Sequence, residues 1–215
     1  MRATRTVVLA GATGLVGREI LQGLLADDSV KAVHVLGRRA LDLKHPKLAS
    51  HVVDFAALPP LPSVDEAYLA LGTTIKVAGS QPAFRAVDFD ANLAVARAAM
   101  AAGARRAGLV SAMGADAHSR VFYSRVKGEL EDALAALNFG GLVVARPSML
   151  VGDREALGQP VRSGERVAMH VGAVLGPLIP ANYRPIAASN VARALLTRVP
   201  TARAREVLLS GVMQG

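Results

Sequence analysis

The 215-residue chain has no cysteine and no tryptophan. Without cysteine there is no disulfide, no thiolate metal site and no cysteine nucleophile. The absence fits a reducing compartment, and a cytoplasmic location is expected on that ground. Aromatic residues make up 4% of the chain against 52% hydrophobic residues, so the core must be packed from Ala, Val and Leu. Lysine is scarce: five residues against twenty arginines, in a chain of formal charge +8. The arginines are scattered, with no aromatic interleaving and no nucleic-acid motif, so no nucleic-acid partner is expected. The histidines (34, 45, 51, 118 and 170) lack metal-ligand spacing, and no metal is expected. Long hydrophobic runs are also lacking. The start, "MRATRTVVLAGATGLVG", resembles a signal peptide, but three glycines break it and the charged "REI" follows, so it reads as a strand and turn. "VAMHVGAVLGPLIP" is too short to cross a bilayer and carries His170, so no integral membrane segment is expected.

What is present alternates. Short β-branched runs predict strands at 6–10, 32–36, 51–54, 66–71, 106–111 and 142–145, with a short last one at 207–209. Helical stretches are expected at 14–26, 87–102, 122–137, 165–175 and 190–198. Repeated strand–helix–strand order predicts an α/β chain with a doubly wound, mostly parallel sheet of the Rossmann kind. Residues 1–215 are expected to form a single dinucleotide-binding domain, with the substrate side built from about 147–215. "PPLPS", from Pro59 to Ser63, reads as a surface loop. In such sheets ligands sit beyond the carboxyl ends of the strands, which is where chemistry is sought.

The first strand ends in "GATGLVG". Gly11, Gly14 and Gly17 allow a tight turn, close approach of a pyrophosphate, and close helix–strand packing. The helix that follows offers free N–H groups and partial positive charge to phosphates. About 20 residues on, sites for NAD place an acid on the ribose 2′-OH. Here "LGRR" puts Arg38 and Arg39 at that place. Two guanidinium groups suit a 2′-phosphate, so NADP(H) is the expected cofactor.

The fifth expected strand ends at Ser111, and "YSRVK" follows with Tyr123 and Lys127. Residues at i and i+4 share one helix face. A free tyrosine, with a pKa near ~10, is a weak acid–base at neutral pH, and a neighbouring ammonium favours its ionised form. An ammonium also offers three donors to ribose hydroxyls, which a planar guanidinium would not replace. That is a reason for this position to have escaped the chain's bias toward arginine. Ser111 is expected to hold the substrate oxygen beside the tyrosine. The competing reading makes "KGELE" the solvated charge of a surface helix.

"GATGLVG", Ser111 and "YSRVK" together resemble the short-chain dehydrogenase/reductase superfamily. More narrowly, "LGRR", "LGTTIKVAGS", "FRAVDFD", "VSAMGAD", "YSRVKGELE" and "ARPSMLVGDRE" resemble its atypical branch of Tat-interacting-protein-type oxidoreductases and bacterial relatives. The resemblance implies that Gly11, Thr13, Gly14, Leu15, Val16 and Gly17 meet the pyrophosphate and that Arg38 and Arg39 meet the 2′-phosphate. It implies Asp54 near the adenine, and Leu71, Gly72 and Thr73 along the cofactor ribose. Ser111, Tyr123 and Lys127 would form the catalytic set, with Pro147 and Ser148 beside the nicotinamide. Two departures stand out. Where many members carry an asparagine after strand four, this chain has Asp88, with Asn92 a turn later. About 65 residues follow strand six, too few for a large substrate lobe, so a sugar-nucleotide substrate is less expected than a small one.

Three functions share these features: an NADP(H)-dependent oxidoreductase of a small carbonyl or hydroxyl compound, a small epimerase or dehydratase that recycles hydride on a retained cofactor, and an NADPH-sensing protein that engages a protein partner. The Ser–Tyr–Lys set favours an enzyme, since a sensor needs no proton donor. Arg154 suits either an anionic substrate group or a loop salt bridge.

Overall fold

The structure is a computed structural model that describes residues 4–151 and 180–214. The chain opens with β1 (Arg5–Ala10), α1 (Leu15–Ala26), β2 (Val30–Gly37), β3 (Leu48–Val52) and β4 (Glu66–Leu69). Two short helices follow, α2 (Ile75–Ala78) and α3 (Gln81–Arg85). A π-helical turn, Ala86–Ala91, runs into α4 (Asn92–Ala101). Then come β5 (Arg106–Val110), α5 (Phe122–Ala136), β6 (Gly141–Arg146) and β7 (Leu150–Val151). The last elements are β8 (Ile186–Ala187), α6 (Ala188–Arg198) and β9 (Arg205–Leu209). The expected helix at 165–175, and Arg154, lie outside the described residues.

Seven strands form one sheet in the order β3-β2-β1-β4-β5-β6-β9, with every neighbouring pair parallel. β7 and β8 pair separately. The core is split by the sheet. Ile20, Leu21 and Leu24 of α1 pack with Val191 and Leu195 of α6 on one face. Val95 and Ala99 of α4 pack with Leu130 and Leu134 of α5 on the other. Both faces of the central strands are covered, so those strands read as nearly continuous apolar runs. Burying Leu130 and Leu134, both fully enclosed, contributes roughly 1.5–3 kcal/mol each. The doubly wound parallel sheet expected from the sequence is present.

This topology makes the site. From β1 the chain winds outward to β2 and β3, then crosses to β4 on the other side of β1. The crevice at that reversal lies above the carboxyl ends of β1 and β4, the usual ligand position in such sheets. The short helices α2 and α3 were not anticipated, because an apolar period does not register over four or five residues. Their caps were visible as Thr74 and Ser80, whose hydroxyls accept from Val77 N and Ala83 N.

At the opposite end of the sheet, Glu66 opens β4 and is 1% exposed. Its Oε2 stands 3.3 Å from Arg5 Nε and accepts from the Tyr68 hydroxyl at 3.3 Å. Burial pushes the Glu66 carboxyl above its ordinary range, against the pull of Arg5 and Tyr68. A carboxyl raised in the folded state contributes stability that is complete below its unfolded range and lost as pH rises through its folded range. Glu66→Gln is therefore expected to gain melting temperature relative to the natural chain as pH rises above the ordinary carboxylate range, on the order of a few degrees at most. A gap between the two proteins that stays constant with pH would contradict this account.

Candidate active site

The glycine turn is built for close approach. Gly11 adopts φ +94°, and a Cβ there would stand 2.3 Å from Ala70 O at the end of β4. A Cβ on Gly17 would stand 2.0 Å from Gly11 O. The turn, the start of α1 and the exit of β4 are thus pressed together in a way that side chains would prevent. Gly14 is the N-cap of α1, with no side-chain cap and no acid in the first turn. Leu15, Val16 and Gly17 open this 12-residue helix beside an exposed Thr13, an end suited to phosphate.

Arg38 and Arg39 follow directly on β2, and both are exposed. No carboxylate pairs with either among the described residues. Asp54 lies two residues past β3, where its carboxylate accepts from Ala56 N at 2.9 Å. Val53 N donates to Gly37 O, so Asp54 and the arginine pair share the exits of adjacent strands.

Tyr123 and Lys127 both lie on α5, as the spacing predicts. The Tyr123 ring packs against Phe84 of α3 at 5.6 Å, and Phe84 also meets Phe122 at 5.8 Å. The ring is fixed while its hydroxyl has no hydrogen-bond partner among the described residues. Lys127 is 4% exposed, so it is no surface decoration. Its Nζ stands 2.7 Å from Asp88 Oδ1. Asp88 Oδ2 accepts from Thr73 N at 2.8 Å. Asn92 donates to Leu71 O at 3.1 Å. Leu71, Gly72 and Thr73, the expected ribose-side segment, are therefore tied to the lysine through Asp88 and Asn92.

The Ser111 N–H donates to Ala145 O, and its hydroxyl donates to Glu131 Oε1 at 2.5 Å. Glu131 is fully buried and also accepts from Arg146, at 3.0 and 2.7 Å, and from Arg205 at 3.3 Å. The Glu131 carboxylate in turn holds the Arg146 guanidinium above its ordinary range, against the opposing effect of burial. Of "KGELE", then, Lys127 and Glu131 face inward, which removes the reading of this stretch as solvated charge. Gly128 between them lets the preceding loop approach: a Cβ there would lie 2.1 Å from Ala117 N. Buried Pro147 accepts from Met113 N, joining the exits of β5 and β6. Ser148 donates its hydroxyl to Arg184 O and accepts from Ser210, which engages its side chain with the C-terminal segment.

Two residues of this constellation were not assigned a role from sequence. Asp88 was visible as a departure from the expected asparagine, but its link to Lys127 was not. Glu131 carried no signal beyond the i, i+4 spacing from Lys127 that puts both on one helix face.

Solved structures share this fold, that of the short-chain dehydrogenases/reductases and their epimerase-like relatives. MoeE5 in complex with UDP-glucose and NAD matches with a TM-score of 0.69 at 16% identity, over 95% of this chain and 76% of that one. A short-chain dehydrogenase/reductase family oxidoreductase from Burkholderia thailandensis matches with a TM-score of 0.66 at 20% identity, over 99% and 94%. No protein-family model matches the chain. Sequence relatives are nearer, and by them the chain belongs to the Fmp52 family. It is 36% identical over 182 residues to the mitochondrial protein fmp52 of Emericella nidulans, covering 79% of this chain and 76% of that one. It is 31% identical over 194 residues to mitochondrial FMP52 of Candida albicans, covering 86% and 83%. One expectation is corrected by these relatives. They are named mitochondrial, which overturns the cytoplasmic location inferred from missing cysteine. They carry the Fmp52 name and not that of the Tat-interacting-protein-type branch, and the likeness to short-chain dehydrogenases/reductases is one of fold. Among the described residues, no helix is long and apolar enough to cross a membrane.

Proposed function

We propose that the chain is an NADP(H)-dependent oxidoreductase acting on a small carbonyl or hydroxyl compound, with Tyr123 as proton donor and acceptor. The observation that carries this reading is the Tyr123 hydroxyl, held by ring packing but without a hydrogen-bond partner among the described residues, one turn from the buried Lys127 ammonium. The cofactor's residues are proposed as the sequence suggests: Gly11, Thr13, Gly14, Leu15, Val16 and Gly17 at the pyrophosphate, and Arg38 and Arg39 at a 2′-phosphate. Asp54 is assigned to the adenine side, Leu71, Gly72 and Thr73 to the ribose, and Pro147 and Ser148 to the nicotinamide side. The glycine cradle and the acid-free start of α1 fit a dinucleotide pyrophosphate. NAD in the MoeE5 complex supports a nicotinamide cofactor on this fold. When bound, the dinucleotide supplies or accepts the hydride.

In the reductive direction, Tyr123 gives its proton to the carbonyl oxygen, with Lys127 one turn further along the same helix. In the oxidative direction Tyr123 takes the proton back. Ser111 is proposed in a narrower role than sequence suggests. Its proton is donated to Glu131, so it has none for a carbonyl, whereas its oxygen can still accept from a substrate hydroxyl. Tyr123 is then the donor to a carbonyl. Ser111→Ala is expected to lower carbonyl reduction less than tenfold, far short of the loss of a positioned proton donor. A loss as large as that of Tyr123→Phe would show that the serine turns to the substrate.

Mass spectrometry of the co-purifying ligand, followed by a panel of carbonyl compounds read through NADPH absorbance, tests the whole reading. An NADP ligand with turnover of at least one compound is the expected result. NADPH that alters affinity for a protein partner without any turnover would favour the sensor instead.

A further inference from the structure

Resting on the cofactor reading above, we infer that Asp88 is the positioning residue of the site, fixing the Lys127 ammonium to the backbone that follows β4. Its two oxygens do different work. Oδ1 stands 2.7 Å from Lys127 Nζ, and Oδ2 accepts from Thr73 N at 2.8 Å. One carboxylate therefore sets the distance between α5 and the segment proposed to run along the cofactor ribose. Both side chains are almost wholly enclosed, at 1% and 5% exposure. An ammonium so buried needs a counter-charge, since desolvation without one is costly. The ammonium is paired with Asp88 and, as a three-proton donor, can still donate to a ligand.

The local backbone is unusual at the same place. Asp88 lies in the π-helical turn Ala86–Ala91, a rare conformation that recurs at functional sites. Asn92, the first residue of α4, is fully buried and gives its amide to Leu71 O and Asp88 O, both at 3.1 Å. The segment after β4 is thus gripped on each side of Gly72, at Leu71 and at Thr73. Gly72 itself is exposed. A Cβ there would sit 3.6 Å from Asp88 Oδ1 and 3.9 Å from Lys127 Nζ, ordinary contact distances. The ion pair therefore lies directly beneath an open glycine at the ligand-facing edge of the sheet. An ion pair that served packing alone would not need that opening.

The test is calorimetric titration of NADPH and of NADH into the natural protein, Asp88→Asn, Lys127→Met, the double variant and Gly72→Ala, with a thermal melt of each. Asp88→Asn keeps the shape and an acceptor for Thr73 N but releases the lysine. It is expected to lose about tenfold or more in affinity for both dinucleotides, the scale of a charge-assisted hydrogen bond. The double variant should bind no more weakly than Lys127→Met, because Asp88 acts through the lysine. It should also melt nearer the natural protein than either single variant, since no charge is stranded. Gly72→Ala should melt normally and still bind more weakly. Should Asp88→Asn melt lower yet bind both dinucleotides normally, the ion pair is structural only and the inference falls. Additive losses in the double variant overturn it as well. If Asp88→Asn does not fold, the double variant and Gly72→Ala decide, and natural affinity in both overturns the inference. A natural protein that binds neither dinucleotide removes the cofactor reading and this inference together, whereas normal binding by the natural protein and by Asp88→Asn removes this inference alone.

Discussion

Tyr123→Phe is expected to lower turnover by about 10²–10⁴ while dinucleotide affinity stays near that of the natural protein. The structure makes this substitution clean. The ring is held by Phe84 at 5.6 Å, and phenylalanine keeps that contact. The hydroxyl that is lost has no hydrogen-bond partner among the described residues, so its removal leaves no buried group unpaired. Stability should change by no more than about 0.5 kcal/mol. A loss of rate without a loss of folding or cofactor binding is the mark of a proton donor, since a packing defect would lower all three. The measurement is steady-state turnover beside calorimetric cofactor affinity and a thermal melt.

Replacing both Arg38 and Arg39 with Ala is expected to weaken NADPH binding by about 10²–10⁴, from charge-assisted bonds worth roughly 1.5–3 kcal/mol each. NADH, which has no 2′-phosphate, should lose little. The two side chains are exposed and unpaired with any carboxylate among the described residues, so the fold does not depend on them. Their exposure has a second consequence. Interactions of exposed charges are screened by salt, so the preference for NADPH should narrow as ionic strength rises. Calorimetry with both cofactors at low and high salt reads both effects. Equal losses for NADPH and NADH would assign the pair to the surface and leave cofactor choice to other residues.

The sheet was legible because each strand run is short, β-branched and followed by a helical stretch, which leaves a parallel doubly wound arrangement as the natural solution. Boundaries were legible where one residue type punctuates the chain, as Gly11 does after β1. They were less so at β3, expected at 51–54 and found at Leu48–Val52. There the register with β2, from Leu48 opposite Val33 to Val52 opposite Gly37, decides the strand, and such pairing is a long-range fact. His34 and His51 meet across this pair at 3.0 Å, which no local pattern announced. The helix expected at 87–102 was right in place but not wholly in kind, because its first five residues, 87–91, lie in the π turn that holds Asp88.

The site divided in the same way. Tyr123 and Lys127 were readable, since i, i+4 spacing is local. Asp88 and Lys127 meet only because α5 packs against the π turn. The direction of the Ser111 hydroxyl depends on Glu131, and Glu131 is buried because Arg146 and Arg205 converge on it from β6 and β9. Charged residues on a helix read as solvated until those distant partners are in place. The location was misread for another reason: missing cysteine speaks to redox chemistry, and a reducing interior is not one compartment alone.

The account is tested most directly by NADPH consumption, with the natural protein and Tyr123→Phe measured side by side against one panel of carbonyl compounds. The natural protein is predicted to oxidise NADPH with at least one compound, and Tyr123→Phe to bind NADPH equally and consume it at least a hundredfold more slowly, about the lower bound for a lost proton donor. Equal consumption by the two proteins would contradict the proposed role of Tyr123.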